Sequence, residues 1–154
     1  MPPLSLTLLK RRRKIFLPKS ACKAKLLTGS ARENPLDAIA PINALTSEHA
    51  LDLVVFSQDW HPHNHISFVE SAYDPDRKSK HDGPRKVLKA FESIQFEIPP
   101  VKQVLYPRHC VQNSFGAEIH ADLTIPPAAT FIRKGTRVLV DSYSVFNDNT
   151  GIQL

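Results

Sequence analysis

The chain has 154 residues, enough for one domain of ordinary size, and 42% of them are hydrophobic, which suffices for a globular core. Its formal charge of +5 is unevenly placed: residues 1–32 hold nine Lys or Arg and no acid, so the 11 basic and 15 acidic residues that follow give the body a net −4. Such a body lacks the clustered positive charge that phosphate contacts need, which argues against a nucleic-acid partner, and no apolar run reaches the ~18 residues of a membrane span.

In chain order, Lys10-Arg11-Arg12-Arg13-Lys14 comes first, between Leu4–Leu9 and Ile15-Phe16-Leu17. A secretory signal carries its charge before a longer apolar core, so this segment is a poor one. Residues 1–30 are expected to be a separate basic, disordered segment. A nuclear import cluster or a mitochondrial presequence are the other readings of the same residues. Cys22 and Cys110 make no disulfide framework, so a reducing, cytoplasmic setting is the default and Cys22 is expected to be an inert thiol.

Asn34-Pro35-Leu36 then opens a helix, with Asn34 as N-cap and Pro35 in the first turn. Leu36, Ile39, Ile42 and Leu45 give it an apolar stripe, and Pro41 is expected to kink or shorten it. Leu53-Val54-Val55-Phe56 is apolar, short and free of charge, the pattern of a buried strand. At its carboxyl end stands Gln58-Asp59-Trp60-His61-Pro62-His63-Asn64-His65-Ile66-Ser67-Phe68, with four candidate metal ligands in seven residues. Side chains two apart on an extended segment share a side, so Asp59 and His61 can face one point, as can His63 and His65. Pro62 keeps His61 out of helix. The carboxyl end of a strand is where open α/β sheets bind ligands.

Residues 69–104 are polar and irregular, with turn signals at Asp74-Pro75-Asp76 and His81-Asp82-Gly83-Pro84. Val87, Leu88, Phe91 and Ile94 suggest one short helix, and His81 belongs to the loop surface. Next comes Leu105-Tyr106-Pro107-Arg108-His109-Cys110-Val111-Gln112-Asn113-Ser114-Phe115-Gly116-Ala117-Glu118. A Cys beside a His invites a nucleophile reading, but neighbours on an extended segment point apart, and Cys110 is read as structural. A short helix is expected around Ala117–Leu123, ended by Pro126-Pro127 and carrying His120 on its surface. Ala129-Thr130-Phe131-Ile132 reads as a second core strand, running into Arg133-Lys134-Gly135. The last block is Asp141-Ser142-Tyr143-Ser144-Val145-Phe146.

Three of these blocks, in this order, resemble the nicotinamidases within the isochorismatase-like hydrolases. They are Ser-Gln-Asp-Trp-His-Pro with His-x-Ser-Phe, the Pro-x-His-Cys-Val segment with its Gly-Ala, and Lys-Gly followed by Tyr-Ser-Val-Phe. The likeness covers about residues 30–150. It implies an incomplete three-layer α/β/α, Rossmann-like domain with a mostly parallel sheet over residues 31–154. It also implies hydrolysis of nicotinamide to nicotinate and ammonia in NAD salvage. By the same resemblance Asp59, His61 and His109 hold a divalent metal, with His65 a fourth ligand in some members; zinc suits the donors, and so do iron or manganese. Lys134 matches the catalytic lysine, which stabilises charge developing on the reacting carbonyl. Trp60 and Tyr143 match positions near the substrate, a nicotinamide-like amide. A homo-oligomer is compatible with this pattern.

Two features of the family are not found in the sequence. No Asp-x-Gln-x-Asp-Phe, whose first Asp is the family's general base, occurs before Asn34, and Asp37 lies in the expected helix. The family's nucleophilic Cys falls well after the Tyr-Ser-Val-Phe block, a point this sequence does not reach. Turnover by this chain alone is therefore expected to be lost or strongly reduced. A non-catalytic metal or pyridine-binding chain and an unstable product are the alternatives.

Overall fold

The computed structural model describes residues 34–48, 51–80 and 87–154, together with the backbone of 14–18. Its strands are β1 (Lys14–Pro18), β2 (Leu53–Asp59), β3 (Lys78–Ser79), β4 (Ser93–Ile98), β5 (Val101–Val104) and β6 (Thr130–Lys134), and its helix is α1 (Ile39–Glu48). The main sheet is parallel, in the order β1-β2-β6, and a smaller antiparallel sheet has the order β3-β4-β5. The whole is mixed α/β with a parallel main sheet, the class the family resemblance implies. Among the described residues no helix is long and apolar enough to cross a membrane.

Asn34 caps the start as expected: its side chain accepts from the Leu36 N–H at 3.2 Å. Pro35–Ala38 form a 3-10 turn that leads directly into α1. Pro41 stands in the first turn of α1 and leaves the helix intact, because an N–H there has little use within a helix. Ile42 and Leu45 pack on Val54 and Phe56, the residues of β2 that alternate onto one face. On that sheet Phe56 also stacks on Phe131 of β6, with ring centroids 5.5 Å apart. Both strands read from the sequence are present, each running a little further than its apolar core.

Lys14–Pro18, inside the stretch set apart as a basic amino-terminal segment, forms β1 and pairs in parallel with Leu53–Ser57. The remainder of residues 1–33, including Cys22, the rest of the basic cluster and the boundary near residue 30, lies outside the described residues. His81 does too.

Two expected helices are replaced. The stretch around Val87, Leu88, Phe91 and Ile94 becomes β4 and its approach. In Ser93-Ile94-Gln95-Phe96-Glu97-Ile98 the period is two, with Ile94 and Phe96 buried and Ser93, Gln95 and Glu97 exposed. Val87 and Phe91, which a helix would have placed with Ile94, are 80% and 64% exposed. With Ile66, Ala72, Leu88 and Leu105, the two inward side chains form the larger buried cluster. The expected helix around Ala117–Leu123 is only a 3-10 turn, Phe115–Ala117. Backbone groups beyond it bond across the fold instead: Asn43 Nδ2 donates to Asp122 O at 2.8 Å, and Thr124 N donates to Asn43 Oδ1 at 2.8 Å.

Phe96 has no exposed surface, so truncating it leaves a cavity in the larger cluster. Phe96→Ala is expected to lower the unfolding free energy by about 3–5 kcal/mol, whereas the exposed Val87→Ala changes it by less than about 0.5 kcal/mol. Urea denaturation of the two variants beside the unaltered chain checks both values.

Candidate metal centre

The parallel register sets Asp59 and Lys134 opposite one another, where β2 and β6 end together. Their side chains form an ion pair, and Lys134 Nζ also donates to Ser142 O at 3.1 Å. Burial raises the Asp59 pKa, but the adjacent lysine ammonium, aided by its hydrogen bond, outweighs that and holds the carboxyl below its usual value. One step on, Trp60 N donates to Lys134 O at 2.9 Å and the chain turns. Arg133 lies over the Trp60 ring, 3.8 Å from its centroid.

His61 is where the motif blocks meet. Its N–H donates to Cys110 O at 3.0 Å, its carbonyl accepts from Gln112 N at 2.8 Å, and the two segments form a parallel bridge. Cys110 has a φ of 45°, a left-handed conformation at this turn. The His61 ring lies against Gly135, where Nδ1 donates to the carbonyl at 3.0 Å. Gly135 has a φ of 63°, and a Cβ there would run into the His61 ring. Because a carbonyl only accepts, this bond puts the ring proton on Nδ1 and leaves the Nε2 lone pair free.

Pro62 to His65 form a tight turn, closed by His65 N donating to Pro62 O at 3.1 Å. The segment is therefore not extended through His65 as the sequence reading allowed: His63 is exposed, and His65 is fully buried and stacked on His61 with centroids 4.2 Å apart. Both His65 nitrogens have partners. Nδ1 accepts from the Ser67 N–H at 3.4 Å and lies 2.7 Å from Ser67 Oγ, and Nε2 donates weakly to Val140 O at 3.3 Å. His109 has its ring 5.0 Å from that of His61, and its Nδ1 donates to Pro107 O at 2.8 Å, again leaving Nε2 free. All three imidazoles touch the fully buried Phe68 ring.

Donor atoms of His61, His65 and Asp141 all lie within 4.8 Å of one another, and all three residues are buried. Two imidazoles and a carboxylate at that spacing fit a divalent cation once His65 gives up either its Ser67 or its Val140 partner. Burial holds the His61 pKa below its ordinary value despite the pull of Asp59 and Asp141, and holds that of His65 down to about 4, with the neighbouring His61 adding to the effect. Neutral imidazole is the form that ligates. Of the residues singled out from the sequence, His61, His65 and His109 cluster, Asp59 joins Lys134, Trp60 borders the turn, and Tyr143 is half exposed behind Asp141. Asp141 was not anticipated as a donor. Its signal was its place in the Asp-Ser-Tyr-Ser block, one residue from Ser142, whose carbonyl meets Lys134. Cys110, expected to be a thiol, is disulfide-bonded; the other cysteine lies outside the described residues.

Comparison with known proteins follows the same lines. The chain is 44% identical over 111 residues to the nicotinamidase of Acinetobacter baylyi, covering 71% of this chain and 44% of that protein. It is 38% identical over 99 residues to Escherichia coli nicotinamidase, covering 64% and 38%. The solved structure of the Acinetobacter baumanii nicotinamidase superposes with a TM-score of 0.59 at 38% identity, over 79% of this chain and 51% of that one. A protein of L. infantum, solved in complex with nicotinate, gives 0.53 at 32% identity, over 77% and 44%. No family model matches. The fold and the clustered site define a domain of the isochorismatase-like hydrolase family. Within that family the chain belongs with the nicotinamidases, and it spans about half the length of the curated relatives it matches.

Two outcomes follow. Gly135→Ala forces the His61 ring aside and strains a left-handed residue; it is expected to destabilise the chain by at least about 1 kcal/mol and to weaken zinc binding roughly tenfold or more, measured by thermal melting and zinc titration. Separately, a depressed histidine pKa means that the unfolded chain takes up protons more readily than the folded one. The metal-free chain is therefore fully stabilised above about pH 6.5, the unfolded value, and loses on the order of 3 kcal/mol as pH falls towards the His65 value of about 4. Denaturant midpoints between pH 4 and 7.5 check the sign, and His65→Gln flattens the slope.

Proposed function

We propose that this chain carries the metal-binding and substrate-orienting part of a nicotinamide amidohydrolase. The observation that carries the reading is the docking of the His109 segment onto His61 beside the Lys134 end of β6, which gathers imidazoles, carboxylates and a lysine at one edge of the sheet. His61, His65 and Asp141 would hold a divalent cation, with His109 and Asp59 at its border. Zinc, iron and manganese all accept such donors. When bound, the cation supplies a fixed positive charge that orients a pyridine ring and its carboxamide.

The chain's own residues do the rest. Lys134, held by Asp59 and the Ser142 carbonyl, presents an ammonium at the end of β6 that can stabilise negative charge on a carboxamide oxygen. Trp60, braced by the Arg133 guanidinium, offers a flat apolar wall, and Tyr143 a phenol whose pKa is raised by burial and by Asp141. The product, nicotinate, would enter pyridine nucleotide salvage.

The assay is ammonia release from nicotinamide, made with the chain and with a chimera in which it replaces the matching 111 residues of the A. baylyi nicotinamidase. The chimera is expected to turn over nicotinamide when loaded with zinc, and the isolated chain to bind nicotinamide in calorimetry with little or no ammonia. A folded, metal-loaded chimera that releases none overturns the substrate assignment.

A further inference from the structure

Phe91 is held in a conformation that its side chain disfavours. It is the third residue of a turn from Lys89 to Glu92, closed by Glu92 N donating to Lys89 O at 3.3 Å, and its φ is 70°. Glycine or asparagine is the usual occupant of such a place, because a Cβ in the left-handed region crowds the backbone. Burial does not offset the strain, since the ring is exposed. Nor do the backbone bonds call for an aromatic residue. Phe91 N donates to Leu105 O at 2.6 Å and Leu105 N donates to Glu92 O at 2.8 Å, bonds that a glycine would make as well. A strained residue that neither the core nor the turn requires is kept for what its side chain touches.

That contact is Tyr106. The Phe91 ring stands edge-on to it, with centroids 5.9 Å apart and planes at 88°, and Tyr106 stands edge-on to His109 at 5.8 Å. The Tyr106 backbone is fixed: its N–H donates to Ser67 O at 2.7 Å and its carbonyl accepts from Val69 N at 3.0 Å. These bonds leave the half-buried ring free to turn about its own side-chain torsions. Its phenol meets that of Tyr143, and the rings of His109 and Phe91 bear on it from the side. Without Phe91 the ring loses one of three supports.

We infer that Phe91 is a positioning residue for the pyridine site: its ring holds that of Tyr106 against His109, so that a flat aromatic wall beside the imidazoles is in place before nicotinamide arrives. The inference rests on the nicotinamide reading above, and it gives the turn before β4 a part in substrate affinity. An edge-to-face pair of this kind corresponds to about three- to tenfold in an equilibrium constant.

The test uses the full chain with added zinc. Nicotinamide binding is read by calorimetry and thermal melting is followed on the same samples. Phe91→Gly suits the left-handed turn and removes the ring; it is expected to leave the melting temperature unchanged or raised, and yet to weaken nicotinamide binding about three- to tenfold. A merely structural residue would not separate the two readouts in this way. Phe91→Leu keeps apolar bulk without the ring and is expected to weaken binding as much, whereas Phe91→Tyr keeps the ring and stays within about twofold of the unaltered chain. If Phe91→Gly does not fold, the Leu and Tyr variants, which share the same backbone strain, carry the comparison. Affinities within about twofold for both Phe91→Gly and Phe91→Leu, or an equal loss in Phe91→Leu and Phe91→Tyr, overturn the inference. A folded, unaltered chain that binds no nicotinamide overturns the substrate reading beneath it, and this inference with it.

Discussion

His61 is fixed from three directions at once. Its backbone is bridged to Cys110 and Gln112, its ring proton is held by the Gly135 carbonyl, and its ring is pressed between His65 and the glycine. These contacts join parts of the chain some fifty and seventy residues away, and everything else at the site is arranged around them. A side chain at position 135 would break the arrangement at its centre. So would loss of the parallel pairing that carries β6 alongside β2, because Gly135 immediately follows the end of that strand.

The two carboxylates near His61 are in different electrostatic situations. Asp59 is neutralised by Lys134 and is stabilised as an anion by it. Among the described residues Asp141 has only neutral donors, and it looks towards imidazoles. A cation entering the cluster gains most from the carboxylate that has no counter-ion, and disturbs least where no ion pair has to break. That difference would let a lysine, a divalent cation and two acids share one sheet edge without competing for the same charges.

Much of this was legible in the sequence because it is local. A charge-free β-branched run, a proline after His61 and ligand types at the strand end dictate β2 and the candidate donors. The Lys134-Gly135 pair after an apolar run likewise marked the end of β6. What escaped the sequence depended on distance. Whether Ile94 and Phe96 share a strand face or a helix face is decided by two strands pairing across a short turn, and the spacing of Leu88, Phe91 and Ile94 is equally compatible with a helix. The carbonyls near residues 117–122 looked available for a helix until Gln58 and Asn43 took them from elsewhere in the fold. Asp141 and Gln103 are 38 residues apart, and nothing in either neighbourhood announces that they meet.

The central claim is that distant segments converge on one cation at His61. Anomalous diffraction at the metal absorption edge, from crystals of the zinc-loaded chain, tests it most directly. The account predicts a single strong peak bonded to the His61 imidazole and sharing His65 and Asp141 as neighbours. A zinc site on exposed residues such as His63 or His120, with the His61 ring untouched, would contradict it.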